Sequence, residues 1–250
     1  MNRRKLMPAP SRDPVFATTR WTMVASAGGG ERRSAEEALE AICQTYWYPL
    51  YAFIRRQGHP KEDAEDLTQA FLMDLLERKP WQQLAQERGK FRAFLLAALK
   101  NFLANFRESA RCQKRGGNAC HLSLDWQHAD RLYHLAAPSQ AAPDLAYDRE
   151  WGVRVLERVL ERLRDEAVAE GTANRLEILK DFLSSTGGDA SYANAAAALG
   201  LTVGAVRVAV HRLRKRYRHL LREDIARTVT DPAMVEDELG ALFAAFRQGS

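Results

Sequence analysis

Apolar residues recur along this chain in steps of three and four, the spacing that lines one face of an α-helix, and no stretch shows the alternation of a half-buried strand. Ser34 followed by Glu37 forms a capping box and opens a helix carrying Ala38, Leu39, Ile42 and Tyr46. Pro49 lacks an amide proton and predicts a kink or restart there. After Gly58 and Pro60, the positions Ala64, Leu67, Phe71 and Leu75 predict the buried stripe of a second helix, with Glu62, Asp66, Gln69 and Met73 along another face. Pro80 ends it, and Trp81 to Gly89 reads as a connector. Phe91, Phe94, Leu95, Ala98, Leu99, Phe102 and Phe106 then predict a broad apolar face. At ~100° per residue, Arg92, Lys100, Arg107, Arg111 and Lys114 fall on the opposite side. Gly116 and Gly117 stop this helix.

From Asn118 to Pro143 no long period survives, which marks a domain boundary. Beyond it, Tyr147, Trp151, Val155, Val159 and Leu163 predict one amphipathic helix. Thr172 caps another, with Leu176, Ile178, Leu179, Phe182 and Leu183, closed by Gly187 and Gly188. Tyr192 to Leu199 is alanine-rich and helix-favouring. Gly200 supplies a left-handed turn position, Leu201 is expected to plug the angle between helices, and Thr202 is a natural N-cap. In the helix that follows, Val206, Val210, Leu213, Tyr217 and Leu220 form the inner stripe, while Arg207, His211, Arg214 and Arg218 repeat the same steps outside. The expected fold is all-α, with two small helical domains, 34–117 and 144–227, joined by a flexible linker, 118–143. An N-terminal extension, 1–33, and an acidic amphipathic tail, 228–250, flank them.

Composition narrows the function. With 250 residues, 46% hydrophobic and 28% charged, the chain has enough apolar material for packed cores. Its longest apolar runs, such as Ala195 to Leu199, are too short for a bilayer, so no membrane insertion is expected. Arg3, Arg4 and Lys5 are not followed by an apolar signal region. Cys43, Cys112 and Cys120 lack zinc spacing, and the expected location is the reducing cytoplasm. The net charge is only +5, but its distribution is uneven. Val203 to Arg222 holds Arg207, Arg212, Arg214, Lys215, Arg216, Arg218 and Arg222 with no acidic residue. Arg88 to Arg115 is also basic, whereas between Glu62 and Glu77 the sign reverses, with Glu62, Asp63, Glu65, Asp66, Asp74 and Glu77. Two basic surfaces and one acidic surface imply more than one kind of partner.

A helix with an apolar inner face and a basic outer face, entered through a Gly-Leu-Thr turn, suits the major groove of DNA. Val203, Gly204, Ala205, Arg207 and Val208 would face base edges, and the later cations would meet phosphate. Apolar Val208 and Ala209 point to methyl contacts with thymine. The bland reading is a solvated basic helix in a bundle.

The run Tyr192 to Arg207, with His211, Arg212, Leu213 and Arg214 behind it, resembles region 4 of the extracytoplasmic-function sigma factors. Asp63 to Phe71 is similar to their core-binding motif in region 2, and Phe91-Arg92-Ala93-Phe94-Leu95 with Lys100 and Asn101 to the promoter-melting helix that follows it. The resemblance covers roughly Ala35–Arg115 and Trp151–Glu223. Asn194 and Ala195 depart from it, where an acidic and a larger aliphatic residue are usual. It implies a protein that binds core RNA polymerase and promoter DNA, with an anti-sigma factor or other regulatory protein as a further kind of partner. It assigns polymerase binding to Asp63, Glu65, Asp66 and Gln69. The −10 region would fall to Trp81, Arg88, Lys90, Arg92, Lys100, Asn101, Arg107 and Arg111. The −35 element would fall to Thr202, Val203, Gly204, Ala205, Arg207, Val208, His211, Arg212 and Arg214.

Other readings explain less. Asp63, Glu65, Asp66 and Asp74 could be metal ligands of a nuclease, but no histidine joins them at ligand spacing. His121, His128 and His134 near Cys112 and Cys120 match no zinc pattern. Gly28-Gly29-Gly30 lacks the Lys-Ser/Thr of a phosphate loop. Neither cofactor nor metal nor catalysis is expected. A stand-alone helix-turn-helix regulator accounts for Ser191–Arg222 equally well but leaves the first domain's acidic face and aromatic-rich basic helix without a role. A protein-interaction bundle leaves both basic surfaces unexplained. In the tail, Val235, Leu239, Leu242, Phe243 and Phe246 with Glu236, Asp237 and Glu238 predict a short acidic helix, docked on the bundle or covering the recognition helix.

Overall fold

The computed structural model describes residues 45–78, 90–110, 124–135, 142–184, 188–229 and 231–247. Every regular element among them is helical: α1 (45–56), α2 (Lys61–Arg78), α3 (Phe91–Ala110), α4 (Trp126–Leu135), α5 (Pro143–Ala169), α6 (Ala173–Leu179), α7 (Asp189–Leu199), α8 (Val203–Ala226) and α9 (Val235–Arg247), with 3-10 turns at Lys180–Leu183 and Pro232–Met234. The only extended pairing among these residues is an isolated antiparallel bridge between Lys90 and Val229. α1 runs without a break through Pro49. Pro60 immediately precedes α2, and its carbonyl accepts from the Ala64 amide at 3.0 Å.

α5 organises the rest. Pro143 sits in its first turn, where the missing amide costs nothing. Its 27 residues span about 40 Å at ~1.5 Å each. The stripe Tyr147, Trp151, Val155, Val159 and Leu163 is buried along its whole length, at ~1.5–3 kcal/mol per large side chain. Two polar tips on that stripe fix its register against the first half of the chain. Trp151 Nε1 donates to Tyr46 Oη at 3.2 Å, and Tyr147 Oη donates to the Arg92 carbonyl at 3.2 Å. Burial pushes the Tyr46 and Tyr147 hydroxyls well above their ordinary range, so both remain neutral donors or acceptors.

The core does not divide at 118–143 as the sequence suggested. One continuous buried cluster takes in α1, α2 and α3, Ala129 of α4, the α5 stripe, Leu176, the C-terminal half of α8 and α9. A smaller cluster holds Leu179, Phe182, Ala195, Ala196, Val206, Ala209 and Val210. The physical reason is that each half presents an apolar face the other can cover, and periodicity reports a face without its partner. The span read as a linker also contains a helix. In α4, the Asp125 carboxylate accepts from the His128 amide at 2.9 Å, and Trp126 packs edge-on against Trp47 with ring centroids 5.4 Å apart. Tyr133 stacks on the Arg55 guanidinium at 4.6 Å.

On α3 the stripe Phe91, Leu95, Leu99 and Leu103 is buried and Phe106 is exposed. Counted at ~100° per residue, the inner face is rotated about 40° from the expected one, toward Leu103. That rotation brings Arg92 inside, where its side chain is buried. Arg92 Nε and a terminal nitrogen donate to the two carboxylate oxygens of Glu238 at 2.9 and 3.2 Å, and its other nitrogen donates to Asp148. Its guanidinium lies 4.7 Å from the Trp151 ring centroid. Lys90 Nζ is 3.1 Å from the same Glu238 carboxylate, which is fully buried. Burial alone would raise the Glu238 carboxyl, but Arg92 and Lys90 outweigh it and hold the group below its ordinary 4.5. The stabilisation is therefore complete above that value and is lost as pH falls through the lowered one.

A second buried carboxylate, Asp224 near the end of α8, ties α8 to α5. Arg158 donates to it through Nε at 2.6 Å, and Arg162 and Arg227 approach it at 3.3 and 3.5 Å. Arg158 also donates to Thr45 in α1. Asp224→Ala leaves these partly exposed guanidiniums without their shared anion and should cost about 3 kcal/mol, the low end for a broken buried pair. Reversible urea unfolding measures it, and a loss under about 1 kcal/mol would show that water replaces the carboxylate. At Gly200 the backbone has φ +62°, and a Cβ there would meet nothing within 4 Å. Gly200→Ala should therefore cost about 1 kcal/mol from backbone conformation alone.

Candidate nucleic-acid interface

The segment from Asp189 to Arg214 folds as a helix-turn-helix unit. α7 ends at Gly200, whose amide bonds the Ala197 carbonyl at 3.3 Å, while the Leu201 amide reaches the Ala196 carbonyl at 3.0 Å. Such a paired closure needs the left-handed residue that glycine provides. Thr202 then caps α8, its Oγ1 accepting from the Ala205 amide at 3.2 Å. The two helix axes turn by 98° at this break, within the ~90–120° of helix-turn-helix units. Ala195 and Ala196 are small enough to bring α7 against Val206, Ala209 and Val210. Phe182 closes the small core from the preceding turn and stacks against Tyr192 at 4.7 Å.

This packing decides which residues of α8 face outward. Thr202, Val203, Gly204, Ala205, Arg207, Val208, His211 and Arg212 are all exposed. Arg207 reaches Asp189 at 2.6 Å and lies 5.3 Å from the Tyr192 ring centroid, and both it and Asp189 stand in solvent. An exposed pair of this kind is worth little and yields readily to another anion. Arg212 and Lys215 are exposed with no ion-pair partner among the described residues.

Three expectations change. Arg214 is half-buried, and its Nε donates to the Phe182 carbonyl at 2.9 Å, so it braces the small core instead of standing on the outer face. Ala209 is buried, which leaves Val208 as the outward methyl-bearing residue of that pair. Leu201 is 40% exposed and does not plug the angle between helices; Ala195, Ala196 and Val206 fill it. Further along, Arg216 makes a bidentate pair with Glu166 at 2.8 and 2.5 Å, which lowers the Glu166 carboxyl.

The residues assigned to the −10 region do not form one free basic face. Lys90 and Arg92 are engaged by Glu238, and Arg92 is buried, contrary to the outward position expected of it. Lys100 pairs with Asp144 at 2.6 Å in the open, and Asn101 is exposed. Trp81, Arg88, Arg111 and the side chain of Arg107 lie outside the described residues.

On α2, Asp63 and Asp66 are exposed together with Glu62. Glu65 and Gln69 are half-buried. Burial and the neighbouring Asp130 raise the Glu65 carboxyl, against the opposing pull of Lys61. The acidic face available to a partner is thus narrower than the run of charges suggested.

Asp144, Asp148 and Asp224 are ion-pairing carboxylates that the charge pattern did not single out, and Glu238 was read only as part of the acidic tail. Their signal lay in helical register: Glu238 occupies the same stripe as Val235, Leu239 and Leu242, and Asp224 that of Leu220, Leu221 and Ile225. A carboxylate in a core position calls for a buried cation. No single helix among the described residues is long and apolar enough to cross a membrane. No protein-family model, curated protein or solved structure matches the chain.

Proposed function

We propose that this chain is a sigma factor, a cytoplasmic protein that binds core RNA polymerase and directs it to promoters, acting by binding and not by catalysis. The observation that carries the reading is the helix-turn-helix whose second helix leaves Val203, Arg207, Val208, His211 and Arg212 on one exposed face, opposite a buried one. Such a face offers Arg207 and Arg212 to guanine edges or phosphates and valine methyls to thymine. It would read the −35 element. The exposed Glu62, Asp63 and Asp66 on a separate helix support a second, protein partner, the polymerase. The resemblance of Asp63–Phe71, Phe91–Leu95 and Tyr192–Arg214 to sigma regions 2 and 4 supplies the order of these parts.

One observation favours a stand-alone helix-turn-helix regulator. With Lys90 and Arg92 turned toward Glu238, the α8 face is the main basic surface among the described residues. Transcription by purified core RNA polymerase on a pooled genomic promoter library separates the two readings. A sigma factor yields discrete protein-dependent start sites sharing two upstream elements. A regulator yields none, yet binds free duplex DNA with sequence preference.

Two substitutions should divide the functions. Arg207→Ala should cost about 1–3 kcal/mol in promoter discrimination with polymerase affinity unchanged. Asp66→Arg should abolish polymerase binding and leave duplex binding by α8 intact. Joint loss of both functions in either variant, with its melting curve unaltered, would contradict the division.

A further inference from the structure

The start of α3 is covered by the end of the chain. Phe91 donates its amide to the Thr228 carbonyl at 3.1 Å, and Lys90 faces Val229 across the antiparallel bridge. α9 then brings Glu238 onto Lys90 and Arg92, so that one carboxylate, fully out of water, holds both cations. The bidentate grip on Arg92 uses the two-oxygen geometry with which guanidinium groups bind phosphate. α9 is seated on α5 through Leu239, Leu242 and Ala245, all buried, and comes closest at Gly152. A Cβ on Gly152 would lie 3.0 Å from the Phe246 ring and 3.8 Å from Leu242. The outer face of α9 meets solvent: Phe243 is half exposed, and Glu236 pairs with Arg222 at the surface.

We propose that α9 is an internal cover, with Glu238 occupying the seat in which Lys90 and Arg92 would hold a phosphate of single-stranded promoter DNA. The cover lifts when the protein loads onto polymerase. The identity of the nucleic acid and the trigger rest on the sigma reading above. The acidic tail thus acts on the first basic surface, at α3, and touches α8 only near its end, at Arg222.

The test uses the full chain and a random-sequence single-stranded DNA oligonucleotide, titrated at several salt concentrations. Glu238→Gln frees Lys90 and leaves Arg92 only Asp148, while Gly152→Leu displaces α9 with all charges in place. Glu236→Gln makes the same charge change at the exposed end of α9 and sets the background. Both test variants should bind the oligonucleotide about tenfold more tightly than Glu236→Gln does. Their plots of log affinity against log salt should be steeper by about 0.7 for each cation released. Equal affinity in all three, with cooperative melting retained, overturns the proposal.

Hydrogen exchange on the unaltered protein decides the matter should either variant fail to fold. On addition of core polymerase, the Phe91 amide and those of α9 should lose protection. Unchanged protection in the bound protein overturns the cover. Absence of polymerase binding altogether defeats the sigma reading instead, and the oligonucleotide comparison then judges the cover alone.

Discussion

A charge removed from water must meet its opposite, and two carboxylates set the architecture here through that requirement. Glu238 is fully buried and Asp224 nearly so, and the cations that satisfy them come from other elements, apart from Arg227 at the end of α8 itself. Glu238 draws Lys90 and Arg92 toward α9, and Asp224 draws Arg158 and Arg162 of α5 toward α8. Because Arg158 also binds Thr45, and Arg92 also binds Asp148, the first and last described segments are joined through α5. Hydrophobic burial supplies the driving force, but it is indifferent to register. The charge pairs choose one register, since a shift of one residue along a helix turns its side chain by ~100° and leaves an anion alone in the core.

α8 belongs to both buried clusters. Its first half, through Val206, Ala209 and Val210, completes the helix-turn-helix, and its last turns, through Leu220, Leu221 and Ile225, lie in the main core. Leu213 packs against both. The outward face of the first half is therefore set by packing on α7 and Phe182, while its placement relative to α5 depends on the Asp224 pairs. That outward face and the body are one continuous piece of backbone.

Much of this was legible in the amino-acid order, and the limits have physical causes. The stripe Tyr147 to Leu163 could be read because 27 residues repeat the helical period long enough to average out exceptions. Gly200 and Thr202 could be read because a left-handed residue followed by a hydroxyl has few other uses. α4 escaped because ten residues between a glycine pair, Gly116-Gly117, and a proline-containing stretch give barely three turns of pattern. The inward turn of Arg92 escaped because Phe94, Phe102 and Phe106 bias the apparent apolar face, whereas Leu103 is the residue that the core takes. The burial of Glu238 escaped because three acidic neighbours look like a solvated edge, though one of them falls in step with Leu239 and Leu242. Which faces meet across 118–143 was not legible at all, since complementarity between distant faces leaves no local periodicity.

The length of α8 has a mechanical consequence. Twenty-four residues make a rod of about 36 Å, at ~1.5 Å of rise each. Its rear end is gripped at Leu221, Asp224 and Ile225, and its front end carries Val203 and Arg207. A tilt of about 5° about the gripped end sweeps the front by about 3 Å, close to the ~3.4 Å between successive base pairs. Were the front of α8 to lie in a DNA groove, as proposed, a lever of that length would magnify sub-ångström slack at the Asp224 pivot into a whole step along it, so the tightness of one buried ion cluster would limit the aim of side chains a full rod's length away.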